Sequence, residues 1–158
     1  MAHEVEIVSV PASTAAVVRF HVRHDELPRI GERMESAFAE VMTELGKAHV
    51  VPKGPAVAVY EPDADGFDVA TGFHVTREFV PPPALERLDL ESGEVAHTTH
   101  VGSYDRLPEA YADIEEQAEQ IGRPVVWGGA MWEEYWSDPG TPEDQTRTEV
   151  FWPVTRPG

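Results

Sequence analysis

The sequence predicts an α+β fold: one β-α-β-β unit written twice, forming an antiparallel sheet with both helices on one face. Three observations carry this reading. Nearly the same phrase occurs twice: His21-Val22 leads to Asp25, Leu27 and Pro28, and His100-Val101 leads to Asp105, Leu107 and Pro108. An apolar stripe at helical spacing follows each phrase. After each stripe come a run ending in tyrosine, an acidic loop bearing Pro and Gly, and a run closing on aromatic-x-Val.

In the first copy, "VEIVSVPASTAAVVRFHV" alternates apolar residues and is interrupted at Pro11, so it reads as strand. Leu27, Ile30, Met34, Phe38, Val41, Met42 and Leu45 then form one helical face. Asp25 is the expected N-cap, Pro28 sits in the first turn, and Gly46 is expected to close the helix. "AVAVY" at 56–60 and "VATGFHV" at 69–75 are strands on either side of "EPDADG". "REFVPPPA" at 77–84 carries three prolines and reads as a stiff linker.

The second copy opens with Leu85, Leu88 and Leu90, then runs from Val95 to Val101 after the turn signal Ser92-Gly93. Leu107, Ala110, Tyr111, Ile114, Ala118 and Ile121 make its helical face, with Asp105 as cap, Pro108 in the first turn and Gly122 at the end. "AMWEEY" at 130–135, "WSDPGTPEDQ" and "TEVFWPV" at 148–154 complete it. Repeat one spans about 4–76, the linker about 77–84 and repeat two about 85–155, within a single domain of residues 1–158. Neither repeat has enough core to stand alone, so an approximate two-fold axis is expected, with a ligand groove where the halves meet.

Composition narrows the function. Apolar residues make up 41% and charged residues 26%, a globular balance, and the absence of Cys excludes disulfides and thiolate metal sites. Twelve basic against 29 acidic side chains give a net charge of −17, which repels phosphate backbones, so no direct nucleic-acid binding is expected and cationic partners are favoured. "MAHEVEIVSV" lacks the features of a signal peptide, and no apolar run approaches the roughly 18 residues of a membrane span. A cytoplasmic protein without membrane contact is the expectation.

No metal or cofactor is expected either. His97 and His100 are three apart on a strand and face opposite ways, while His21 and His24 flank a strand-to-helix turn. No H-E-x-x-H, Walker, G-x-S-x-G or G-x-G-x-x-G pattern occurs.

What the second copy adds is concentrated around its tyrosine-ended strand. Where the first copy has Ala58 and Val59, the second has Glu133 and Glu134. Alternation places Met131, Glu133 and Tyr135 on one face and Trp132, Glu134 and Trp136 on the other, without deciding which face the helices cover. Trp127, Trp132, Tyr135, Trp136, Phe151 and Trp152 all fall in this unit. A carboxylate among such rings suits a lipophilic cation, through charge and cation–π attraction of about 0.5–2 kcal/mol. The tyrosine hydroxyls at 104, 111 and 135 are candidate donors to it. Glu149 shares a face with Arg147 and Phe151 and reads as half of a surface ion pair.

"HVGSYDRLPEAY", "WEEYWSDP" and "RTEVFWPV" resemble the GyrI-like small-molecule-binding domains, built from SHS2-like repeats and shared with the effector-binding modules of AraC-type and BmrR-type regulators. The shared pattern falls on His100, Val101, Gly102 and Tyr104, on Trp132, Glu133, Tyr135, Asp138 and Pro139, and on Thr148 to Val154. The resemblance implies the duplicated fold and selects Glu133 as the groove acid. The chain departs from those regulators in that no DNA-binding segment is expected, so the expectation is a stand-alone multidrug-type binding protein for hydrophobic and often cationic compounds. Glu133, Tyr135, Trp132, Tyr104, Trp152, Phe151 and Trp127 would be its ligand residues. Two alternatives belong to the same resemblance. Some relatives are hydrolases that open the cyclopropane of DNA-alkylating natural products; in that case Glu133, in a box that raises its pKa, would act with Tyr104 or Tyr135. Others inhibit DNA gyrase, which would make a protein the partner.

Overall fold

The computed structural model describes residues 3–137 and 140–156. In chain order its elements are β1 (Glu6–Val10), β2 (Ser13–Arg23), α1 (Ile30–Lys47), β3 (Ala56–Pro62), β4 (Gly66–Val75), β5 (Glu86–Leu90), β6 (Gly93–Val101), α2 (Leu107–Ile121), β7 (Met131–Tyr135) and β8 (Arg147–Pro153). An α+β fold of eight antiparallel strands and two helices results, as the alternating and helical stripes predict. The chain forms two compact units, one of residues up to Val10 together with Gly93 onward, the other Pro11–Ser92.

In the Pro11–Ser92 unit the strand order is β3-β4-β2-β5. Ala16, Val41, Leu45 and Val75 pack with Phe79 and Leu85 beneath α1. Two residues of this core, Phe79 and Leu85, flank the proline run predicted to be a linker. Residues 77–84 therefore do more than join the repeats. Arg87 Nη1 donates to the carbonyls of Arg77 and Phe79 at 2.6 and 2.9 Å and holds the segment against the unit.

In the other unit the order is β1-β6-β8-β7. Ala110, Ile114 and Ala118 of α2 bury against Ala96, Val150 and Trp152, with Met131 and Tyr111 at the margin of the cluster. The first strand of each sequence repeat thus pairs within the unit otherwise made by the other repeat: β1 with β6, and β5 with β2.

The helix ends differ from expectation at three of their four predicted caps. Asp25 and Asp105 lie inside 3-10 turns, His24–Arg29 and Tyr104–Arg106, that precede the α-helices. In the second turn the capping oxygen is Ser103 Oγ, which accepts from Asp105 N–H at 3.2 Å. Gly46 is still helical, and His49, at φ 57°, takes the left-handed position. Gly122 ends α2 at φ 85°, as predicted.

Candidate functional site

Strand β7 pairs with β8 so that Glu133 faces Val150 and Trp132 faces Phe151. Val150 belongs to the core under α2, so the Met131–Glu133–Tyr135 face is the one the helix covers. This decides what alternation left open.

Glu133 is 5% exposed. Tyr111, on α2, donates to its Oε2 at 2.6 Å, and Tyr135 donates to its Oε1 at 2.6 Å. A bare carboxylate in such a place costs several kcal/mol, and two short charge-assisted bonds offset part of that. Both oxygens accept from phenols.

Rings continue outward from this pair on both sides. Tyr104 meets Tyr135 edge-to-face at 6.0 Å and is half exposed. Burial, then the negative charge of Glu133, push the Tyr104 phenol above its ordinary pKa, so it stays a neutral donor. On the other side Tyr111 meets Trp152 at 5.9 Å, and Trp152 meets Trp127 at 5.1 Å, both edge-to-face. Trp152 Nε1 donates to the Val126 carbonyl at 3.2 Å, which fixes its ring, while Trp127 is largely exposed.

Five of the seven residues expected around a ligand, Glu133, Tyr135, Tyr104, Trp152 and Trp127, are therefore linked on the helix-covered face. Trp132 and Phe151 are not. They stack on each other at 5.3 Å on the opposite face of the sheet, because a period of two sends odd β7 and even β8 positions one way and their neighbours the other. Tyr111 completes the group; its place in the helical stripe reads as core, and only its hydroxyl marks it. Asp138 and Pro139 lie outside the described residues.

Glu149, expected at the surface, is buried on the face away from α2. His97 Nε2 lies 2.7 Å from its Oε1, Thr99 Oγ1 donates to the same oxygen at 2.9 Å, and Arg147 Nε donates to Oε2 at 2.9 Å. The ion pair with Arg147 is present, but two further donors allow it to be sequestered. Sequence spacing within one strand cannot reveal His97 and Thr99, which come from β6.

Other polar clusters lie apart from Glu133. Asp113 Oδ2, His3 and His100 form a chain with contacts of 2.7 and 2.9 Å that ends on the Ser103 carbonyl. His3 and His100 border a surface concavity of about 690 Å3 also lined by Arg106, Glu109 and Glu143. In the other unit, His21 bonds Asp63 at 2.9 Å near Asp68, with one ligand atom of each within 4.8 Å of the others. That is the geometry a divalent ion could use, and it is equally complete as an exposed ion pair.

The architecture is that of a small-molecule-binding domain. This chain belongs to the GyrI-like small molecule binding domain family, whose model matches residues 3–155. No curated protein sequence matches it significantly. Among solved structures, EcmrR in complex with DNA matches 99% of this chain at TM-score 0.77 and 17% identity, and this chain spans 59% of the EcmrR chain. The EcmrR C-terminal domain alone matches at 0.72 and 16% identity, with 99% of each chain covered. SAV2435 bound to tetraphenylphosphonium matches at 0.70 and 14% identity, over 96% of this chain and 94% of that one. A hydrolase from Listeria innocua matches at 0.65 and 17% identity, over 98% and 93%.

Proposed function

We propose that this protein binds hydrophobic, often cationic small molecules, sensing or sequestering them, with the Glu133 carboxylate as the charge and Tyr104, Tyr111, Tyr135, Trp152 and Trp127 as the surrounding rings. The observation that carries this is a 5%-exposed glutamate whose two oxygens are held by phenols. Rings surround it on both sides, Tyr104 against Tyr135 and Tyr111 against Trp152, and aromatic rings attract a cation. The carboxylate already accepts two short bonds. A cation with diffuse charge and no N–H donors can approach it without displacing either phenol, whereas a primary ammonium must compete for the same lone pairs. SAV2435, a protein of similar fold, is bound to such a cation, tetraphenylphosphonium.

A second reading is hydrolysis, which the similarity to the Listeria innocua hydrolase raises. A general acid needs a proton to give, and Glu133 here accepts at both oxygens. This favours binding.

Titration of tetraphenylphosphonium, followed by quenching of tryptophan emission, tests the proposal. Glu133→Gln keeps the shape and removes the charge, and is expected to weaken binding by about ten- to hundredfold, the worth of one interaction with a charged group. Unchanged affinity in a folded Glu133→Gln protein would refute it. Turnover of a cyclopropane-bearing compound by the wild type, lost in the same variant, would establish the hydrolase instead.

A further inference from the structure

Among the described residues, one buried polar atom beside this site has no partner. Thr148 is 0% exposed, and its hydroxyl Oγ1 makes no hydrogen bond. Its neighbours behave otherwise. Thr98 Oγ1 donates to the Glu4 carbonyl at 2.6 Å, Thr146 Oγ1 to the Gly102 carbonyl at 2.7 Å, and Thr99 Oγ1 to Glu149 at 2.9 Å. Orphaned hydroxyls in an interior are uncommon, because desolvation is left uncompensated.

The position of this orphan is specific. Thr148 stands directly across from Tyr135 on β7 and from His100 on β6, on the helix-covered face with Val150 and Trp152. Neither flanking residue spends its polar atoms on it: the Tyr135 hydroxyl goes to Glu133, and both His100 ring nitrogens go to His3 and Ser103. Val150 faces Glu133, so Thr148, two residues earlier, is the diagonal neighbour of the carboxylate, with backbones roughly 7–8 Å apart.

We propose that Thr148 is a specificity-determining residue of the Glu133 site, donating a hydrogen bond to an acceptor oxygen on the ligand. This rests on the binding reading above and deepens it: the preferred ligand is a lipophilic cation that also carries a carbonyl-type oxygen on the order of 7 Å from its charge. The approach is from the rim side, where half-exposed Tyr104 meets the partly buried Tyr135 edge-to-face. A hydroxyl unsatisfied in the free protein and satisfied in the complex makes an interaction realised only on binding.

A matched ligand pair tests this: n-pentyltriphenylphosphonium, and the same cation with a terminal carboxamide in place of its last ethyl group. Wild type is expected to prefer the carboxamide by about five- to tenfold, the worth of one neutral hydrogen bond. Thr148→Val is expected to abolish that preference, leave pentyl-cation affinity unchanged and raise the melting temperature, since the orphan is gone. Thr148→Ser, which retains the hydroxyl, is expected to keep the preference. A preference that survives Thr148→Val overturns the proposal, and so does a fall in melting temperature, which would mean the hydroxyl has a partner within the fold. If both cations bind, both weaken in Glu133→Gln, and wild type shows no preference, the role of Thr148 fails while the binding reading stands. If neither cation binds wild type, both fail together.

Discussion

Glu149 and Glu133 are two buried glutamates on adjacent strands, yet their surroundings assign them opposite tasks. Burial by itself raises the pKa of Glu149; bonds from Arg147, His97 and Thr99 outweigh it and hold the carboxyl below its ordinary range. Because the folded value is depressed, this group contributes stability at pH above its unfolded value of about 4.3, and the contribution is lost as pH falls through the folded value. Glu149→Gln is therefore expected to lower stability at neutral pH by about 1–3 kcal/mol and to flatten the loss of stability on acidification below about pH 4. Urea melts of both proteins across that range measure it; parallel curves would contradict the assignment. Glu149 is neutralised by arginine from within, whereas Glu133 accepts from two phenols, and the proposal gives Glu133 the external cation. Residue types and alternation made both acids visible in the sequence. The donors that separate their roles were not visible as such, since Tyr111 and His97 arrive from α2 and β6, far along the chain.

Helices and strands were legible where one periodicity ruled, and less so where local competition decided the ends. The stripes of α1 and α2 place Met34, Val41 and Leu45, and Ala110, Ile114 and Ala118, inward as read from the sequence. Asp25 and Asp105 looked like caps because their type and spacing before proline suit one. A 3-10 turn placed before each helix instead moves the helix start past them. The two closing glycines give a direct test of how the ends are built. Gly46 lies within the α-helix with nothing within 4 Å of an added Cβ, so Gly46→Ala is expected to stabilise by about 0.5–1 kcal/mol. Gly122 also has open space, but its φ of 85° disfavours any side chain, so Gly122→Ala is expected to destabilise by about 1 kcal/mol. Thermal or denaturant melts showing the same sign for both would overturn these assignments. Strand partnership was the other limit: alternation identifies the faces of β1 and β5 but carries nothing about which neighbour each will meet.

Over the whole molecule, a net charge of −17 draws any cation toward the surface, so charge alone cannot distinguish a site from an atmosphere. Ionic strength can. Attraction to exposed carboxylates is screened over a Debye length of about 8 Å at physiological salt, while a charge pair closed off by rings and one helix is screened much less. Tetraphenylphosphonium binding is expected to resolve into a weak, multiple component that disappears as NaCl rises and a single component that persists and depends on Glu133. Glu133→Gln should remove the persistent component and leave the salt-sensitive one nearly intact, because one charge in a surplus of 17 barely alters the field. Equilibrium dialysis of wild type and variant over a salt series separates the two. If the affinity attributed to Glu133 fades with salt as fast as the rest, the carboxylate is acting as one more surface acid. Its two phenolic bonds would then serve the fold and not a ligand. The persistence of that single component is thus the property that distinguishes a binding protein from an acidic one.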